Sequence, residues 1–144
     1  MAQQVYFEDI NVGEEMPPLV KDPVTKAQLV RYAGASGDFN PLHTDDAIGK
    51  LVGLEGVIAH GMLIMGFGGE AITRWIPKKY LTKYGVRFGG MTRPGDVITI
   101  TGKVKSKLKE GGKNIIRCEV VAKDARGEVK VTGEFEASLP SRSS

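Results

Sequence analysis

The stretch Ala59-His-Gly-Met-Leu-Ile-Met-Gly-Phe-Gly-Gly-Glu-Ala-Ile-Thr-Arg-Trp-Ile76 decides how the rest of the chain must be arranged. Apolar residues fall on nearly every side of it until Arg74. A helix of that kind is surrounded by protein rather than laid on a surface. Gly66, Gly68 and Gly69 oppose helix formation, each costing roughly 1 kcal/mol relative to Ala. One long buried helix therefore requires compensation, expected here as close approach of another backbone or of a ligand. A break at the glycines is the competing reading.

Downstream the period changes from helical to two. Tyr84-Gly-Val-Arg-Phe88 reads as a first strand, and Pro94-Gly95-Asp96 as a turn. Val97 to Lys107 follows in extended form, then a second turn at Glu110-Gly-Gly-Lys113. Ile116, Cys118, Val120 and Ala122 alternate with Arg117, Glu119, Val121 and Lys123. After a turn at Arg126-Gly127, Val129, Val131, Gly133, Phe135, Ala137 and Leu139 alternate with Lys130, Thr132, Glu134, Glu136 and Ser138. The pattern predicts an antiparallel meander with one wet face and one buried face. A sheet with one apolar face and a helix that is apolar all round satisfy each other when the sheet wraps the helix. That is an α+β arrangement of the hotdog type, although other α+β layouts fit the same string.

Upstream the chain reads as irregular and helical. Thr25 is placed to cap a helix through Ala27, Leu29, Val30, Tyr32 and Ala33, ended by Gly34 and Gly37. A loop then carries Asp38-Phe39-Asn40-Pro41-Leu42-His43, and a short helix is expected through Ala47 and Ile48.

The 144 residues suit one domain, set at 1–139, with a short polar tail at 140–144 that is expected to fray. The net charge of +3 comes from scattered Lys and Arg, without the dense run or aromatic interleaving of a nucleic-acid binder. Mild positive charge favours an anionic partner, such as a phosphorylated cofactor or an acidic carrier protein. The single cysteine, Cys118, allows no internal disulfide and has no metal-ligand cluster around it in the sequence. Met1 to Asp9 shows no signal-peptide pattern, and the longest apolar stretch is broken by glycines, so a cytoplasmic protein without a membrane span is expected.

Acid–base chemistry is easy to localise because only His43 and His60 carry imidazoles. Asp38 precedes His43 by five positions, across a loop that Pro41 stiffens and Asn40 can fix by bonding to nearby backbone. Such a turn can aim a carboxylate and an imidazole at one point. By spacing alone, a turn role for Asp38 and a capping role for His43 fit more readily. Gly61 stands at the helix start, where amides lack partners and the macrodipole is positive, so its N–H suits a developing oxyanion. Tight packing accounts for Gly61 equally well. For His60 a structural hydrogen bond near the cap is the favoured reading.

The segment Tyr32-Ala-Gly-Ala-Ser-Gly-Asp-Phe-Asn-Pro-Leu-His43 closely resembles the hydratase 2 motif of the MaoC-like hydratases and dehydratases. Ile58-Ala-His-Gly-Met-Leu63 resembles that family's second hallmark, Phe7-Glu-Asp-Ile-Asn-Val-Gly13 its opening, and Val86-Arg-Phe88 with Arg93-Pro-Gly-Asp96 its first strand region. Within the family, Gly37 to Asp46, Val52-Gly-Leu54 and Ala59 to Gly69 look like the catalytic β-type subunit of two-subunit (3R)-hydroxyacyl-ACP dehydratases. The resemblance implies the hotdog fold and a dimer, either a homodimer or a heterodimer with a related hotdog subunit. It implies Asp38 and His43 as the catalytic pair, Gly61 as the oxyanion donor, and Asn40 with Pro41 as residues that shape the site. It implies hydration or dehydration of an acyl thioester carried on CoA or ACP, with no metal and no redox cofactor. Gly69 replaces a serine found in some hydratases, and Met91 replaces a common proline. Thioester hydrolysis on the same fold, and an acyl-binding subunit that needs a partner for activity, are the alternatives.

Overall fold

The computed structural model describes residues 2–143. Met1, at the start of the expected domain, and Ser144, at the end of the expected tail, lie outside the described residues. Strand β1 (Glu15–Val20) comes first, followed by helices α1 (Lys26–Ser36), α2 (Asp46–Leu51) and α3 (Gly61–Trp75). Strands β2 (Leu81–Phe88), β3 (Thr99–Glu110), β4 (Lys113–Lys123) and β5 (Val129–Leu139) complete the order. The strands form one antiparallel sheet in the order β1-β3-β4-β5-β2.

Helix α3 runs unbroken through its glycines and touches all five strands. Leu63, Ile64, Phe67, Ala71 and Ile72 bury its inner face. At Gly68 the close approach comes from a side chain rather than another backbone: a Cβ there would lie 2.2 Å from Tyr84 Oη. That hydroxyl donates to the Met65 carbonyl at 2.8 Å, and burial pushes its pKa up to about 12. The expectation of protein on every side holds only in part. Met62 is 55% exposed and nothing approaches the Cβ position of Gly66, so one flank of α3 is open in the single chain.

Thr25 caps α1 by accepting from the Gln28 amide, and Gly37 ends it at φ +77°. Gly34 lies inside the helix rather than ending it. Three further expectations need correction. Strand β1 falls in the upstream half, which reads from the sequence as irregular and helical, and it contains Pro17 and Pro18. Proline lacks the donor a ladder needs, and β1 tolerates it as an edge strand whose pairing with β3 skips between Met16 and Leu19. The meander covers only β3, β4 and β5, because β2 pairs with β5 and residues 89–98 then return to the opposite half of the sheet. The described part of the polar tail, 140–143, is tied down at two residues: Arg142 clamps Asp9 at 2.8 and 3.1 Å, and Ser141 donates to Glu8.

The alternation itself is reproduced in β4, where Ile116, Cys118, Val120 and Ala122 are buried. In β5 it fails at one point. Ala122 pairs with Val131 but Lys123 pairs with Val129, so Lys130 is an extra residue in a bulge. Its side chain turns inward and is buried, while Val129 is 37% exposed. Among the described residues no helix is long and apolar enough to cross a membrane.

The contact between Gly68 and Tyr84 gives a direct test. Gly68→Ala should destabilise the fold by about 1–3 kcal/mol, although Ala is the better helix former, because the methyl group overpacks the Tyr84 hydroxyl. In a Tyr84→Phe background the same substitution should cost less. Urea denaturation of the four proteins in the cycle checks the coupling.

Candidate active site

The segment after α1 is held by a succession of short hydrogen bonds. Ser36 Oγ accepts from the Asp38 amide at 3.2 Å, and Asp38 Oδ1 accepts from the Asn40 amide at 3.2 Å. Asn40 Oδ1 then accepts from the Leu42 amide at 3.0 Å, capping a 3-10 turn at Pro41–His43 whose first residue is Pro41. The Leu42 carbonyl accepts from the Ile58 amide at 3.0 Å, which joins this loop to the residues just before α3.

His43 is fixed from that same segment. Its Nδ1 lies 2.7 Å from the Ile58 carbonyl, which can only accept, so the neutral ring carries its proton on Nδ1. The lone pair is then on Nε2, 3.8 Å from Asp38 Oδ2. That separation is too long for a direct hydrogen bond and suits a bridging water. The His43 side chain is 13% exposed and that of Asp38 52%, so the carboxylate faces solvent while the imidazole is sheltered.

His60, the residue before α3, is buried. Its Nε2 donates to the Asp38 carbonyl at 3.1 Å, a structural bond of the kind expected, made to the loop rather than to the helix end. The structure adds a role that sequence spacing gave no sign of. The His60 ring stacks on His43, with centroids 3.8 Å apart and planes 23° apart, and meets the Tyr32 ring edge-on at 4.8 Å. His60 therefore braces both the Asp38 backbone and the His43 ring.

Gly61 begins α3, so its N–H belongs to the first turn, which has no intrahelical acceptor and lies at the positive end of the dipole. Its Cβ position would be 3.0 Å from Phe88 Cδ1, so a side chain there would crowd that ring. Gly61 and His43 line one cavity of about 200 Å³, with Ile64, Phe88, Met91 and Thr92. The lining mixes apolar side chains with the polar His43, Thr92 and Lys130. Asp38 meets the site through its approach to His43. Of the sequence-derived residues, His43 and Gly61 line the cavity and Asp38 approaches His43, whereas Asn40 and Pro41 form the turn that carries His43 and do not line the cavity.

Asp38, His43 and His60 present ligand atoms within 4.8 Å of one another. The two rings are nearly parallel, however, and imidazole lone pairs lie in the ring plane. Stacked rings aim those lone pairs side by side rather than at one ion, and the stack would have to open to hold a metal. Cys118 is no nucleophile here: it is buried, and burial pushes its pKa up to about 12.

Residues 9–128 match the family model described as a MaoC like domain. The (R)-specific enoyl-CoA hydratase of Rhodospirillum rubrum is 27% identical over 139 residues, which cover 95% of this chain and 93% of that protein. The 3-hydroxyacyl-thioester dehydratase X of Mycobacterium tuberculosis is 38% identical over 88 residues, 53% of this chain but only 30% of that longer protein. Among solved structures, the R-hydratase PhaJ1 of Pseudomonas aeruginosa matches with a TM-score of 0.85 at 26% identity, covering 98% of this chain and 89% of that one. The hotdog arrangement expected from the sequence is therefore the fold.

The turn that carries His43 depends on one side chain. Asn40→Ala removes the acceptor for the Leu42 amide, and the expected loss is about 1 kcal/mol, typical of a lost cap. Chemical denaturation measures it, and the ring resonances of His43 should shift while those of α1 stay in place.

Proposed function

The chain belongs to the MaoC-like family, and on that premise we propose that it interconverts trans-2-enoyl and (3R)-3-hydroxyacyl thioesters by reversible addition of water. The observation that carries this reading is the 3.8 Å gap between His43 Nε2 and Asp38 Oδ2, beside a cavity that Gly61 lines. A water in that gap can donate to both groups. In hydration His43 Nε2 takes a proton from it, and the oxygen adds to C3. Negative charge moves to the thioester oxygen, where the Gly61 N–H stabilises it. The proton then passes to C2 on the same face. Dehydration retraces these steps, and the class is that of a hydro-lyase, as in the relatives' names.

Each proton in this scheme is handled by Asp38, His43 or the water between them. The proposal therefore includes no cofactor beyond the substrate's own carrier, CoA or an acyl carrier protein, and the chain's net charge of +3 suits both. A second hotdog subunit, identical or related, is proposed to cover the open side. Phe39, Met62 and Phe88 are 69%, 55% and 54% exposed beside a carboxylate that is itself half-exposed, an apolar surface suited to a partner. The buried thiol fits the cytoplasm.

Kinetics on enoyl-CoA of several chain lengths test the reading. His43→Ala and Asp38→Asn should each lower turnover by about a hundredfold to ten-thousandfold. Gly61→Pro removes the amide hydrogen at the one helix position where proline is favoured but also crowds the Phe88 ring, so it is read against Gly61→Ala, which adds the Cβ and keeps the N–H; relative to Gly61→Ala it should cost about a hundredfold to a thousandfold. Release of free thiol at a rate that depends on Asp38 and His43 would instead make the chain a thioesterase.

A further inference from the structure

Lys130 is buried where the sheet pattern places it in water. Its Nζ donates to the Met91 carbonyl at 2.6 Å and to Glu128 Oε1 at 3.1 Å, and lies 3.4 Å from Asp124 Oδ2. Asp124 is buried too, and its Oδ1 accepts from the amides of Arg126 and Glu128, each at 2.9 Å. Burial pushes the Asp124 carboxyl up, but the Glu128 and Arg126 amides and the Lys130 ammonium outweigh it and hold the group below its ordinary range. Taking such a pair out of water often stabilises a fold no better than apolar residues of the same size. Stability is therefore a weak account of it.

What the ammonium grips is a wall of the cavity. The amides of Gly89 and Gly90 donate to the carbonyls of Lys130 and Val129, at 2.8 and 3.1 Å. A Cβ at Gly90 would meet Glu128 Oε1 at 2.1 Å, so any larger residue there would push the Glu128 carboxylate away from Lys130. The Lys130 ammonium takes the next carbonyl, that of Met91. The carbonyl after that, Thr92, accepts from the Ala59 amide at 2.7 Å. Ala59 is two residues before Gly61, and Lys130, Met91, Thr92, Ala59 and Gly61 all line the same cavity.

We infer that Lys130 is a positioning residue: through Met91 and Thr92 it fixes the backbone at Ala59 and so aims the Gly61 amide into the cavity. The inference rests on the role proposed for Gly61. Lys130 itself touches no reacting atom. Without its ammonium the Met91 carbonyl loses this partner, and the segment that carries Thr92 loses one of its anchors. A displacement of about 1 Å in a catalytic donor is enough to cost about a hundredfold in rate.

Lys130→Met alone leaves Asp124 buried and unpaired, and that variant can fail to fold for this reason. The Lys130→Met/Asp124→Asn double variant removes both charges and keeps the Asp124 acceptor for the turn. Its melting temperature should stay near that of the wild type. Its kcat on enoyl-CoA should fall about tenfold to a hundredfold, with KM changed by less than about threefold, as expected when a transition-state interaction is lost. Amide hydrogen exchange at Ala59, followed by NMR, should accelerate in the same protein. A folded double variant with wild-type kcat, or with Ala59 exchange unchanged, overturns the inference. If the wild type itself lacks hydratase activity, the proposed function fails, and Ala59 exchange still decides whether Lys130 holds this backbone.

Discussion

The burial of α3 against the sheet is the constraint from which the site follows. Leu63, Ile64, Phe67, Ala71 and Ile72 commit one face of the helix to the core. Each large apolar side chain among them contributes about 1.5–3 kcal/mol by leaving water. Rotating or sliding the helix would expose several at once, so its first residue is held in place. Gly61 and the segment before it then become fixed points for the loop. The Ile58 carbonyl receives the His43 ring, and the His60 ring both donates to the Asp38 carbonyl and stacks on His43. The core thus places Asp38 and His43 side by side at a cavity that the start of the helix also lines.

The same arrangement divides the two halves of the pair electrostatically. His43 is sheltered and its Nδ1 hydrogen is committed to a carbonyl, leaving one nitrogen for chemistry. Asp38 is half in solvent, with one oxygen held by the Asn40 amide and the other toward His43. Water can therefore reach the gap from the solvent side, while Ile64, Phe88 and Met91 give the cavity apolar lining.

Much of this was legible in the sequence, for local reasons. Thr25 and Gly37 bound α1 because a side-chain acceptor and a left-handed residue are local requirements. The Asn40-Pro41 turn is likewise local, as is the alternation that buries Ile116 to Ala122. What stayed hidden depends on tertiary pairing. A period of two assigns faces but not neighbours, so the placement of β2 beside β5 was out of reach. Two prolines concealed β1, since nothing local marks an edge. A bulge opposite Lys123 turned Lys130 inward, and a single extra residue in a ladder leaves no trace in the alternation around it. The stacking of His60 on His43 joins residues 17 apart that no periodicity relates.

The central claim is that the neutral His43 ring keeps its proton on Nδ1, held by the Ile58 carbonyl, and presents a bare Nε2 toward Asp38. Nitrogen-15 NMR of the histidine side chains in the folded protein, above the titration of the ring, reads this directly. A protonated-type shift at Nδ1 of His43 and a lone-pair-type shift at Nε2 is the expected result. The opposite tautomer, with hydrogen on Nε2, would leave no base facing Asp38 and would contradict the account.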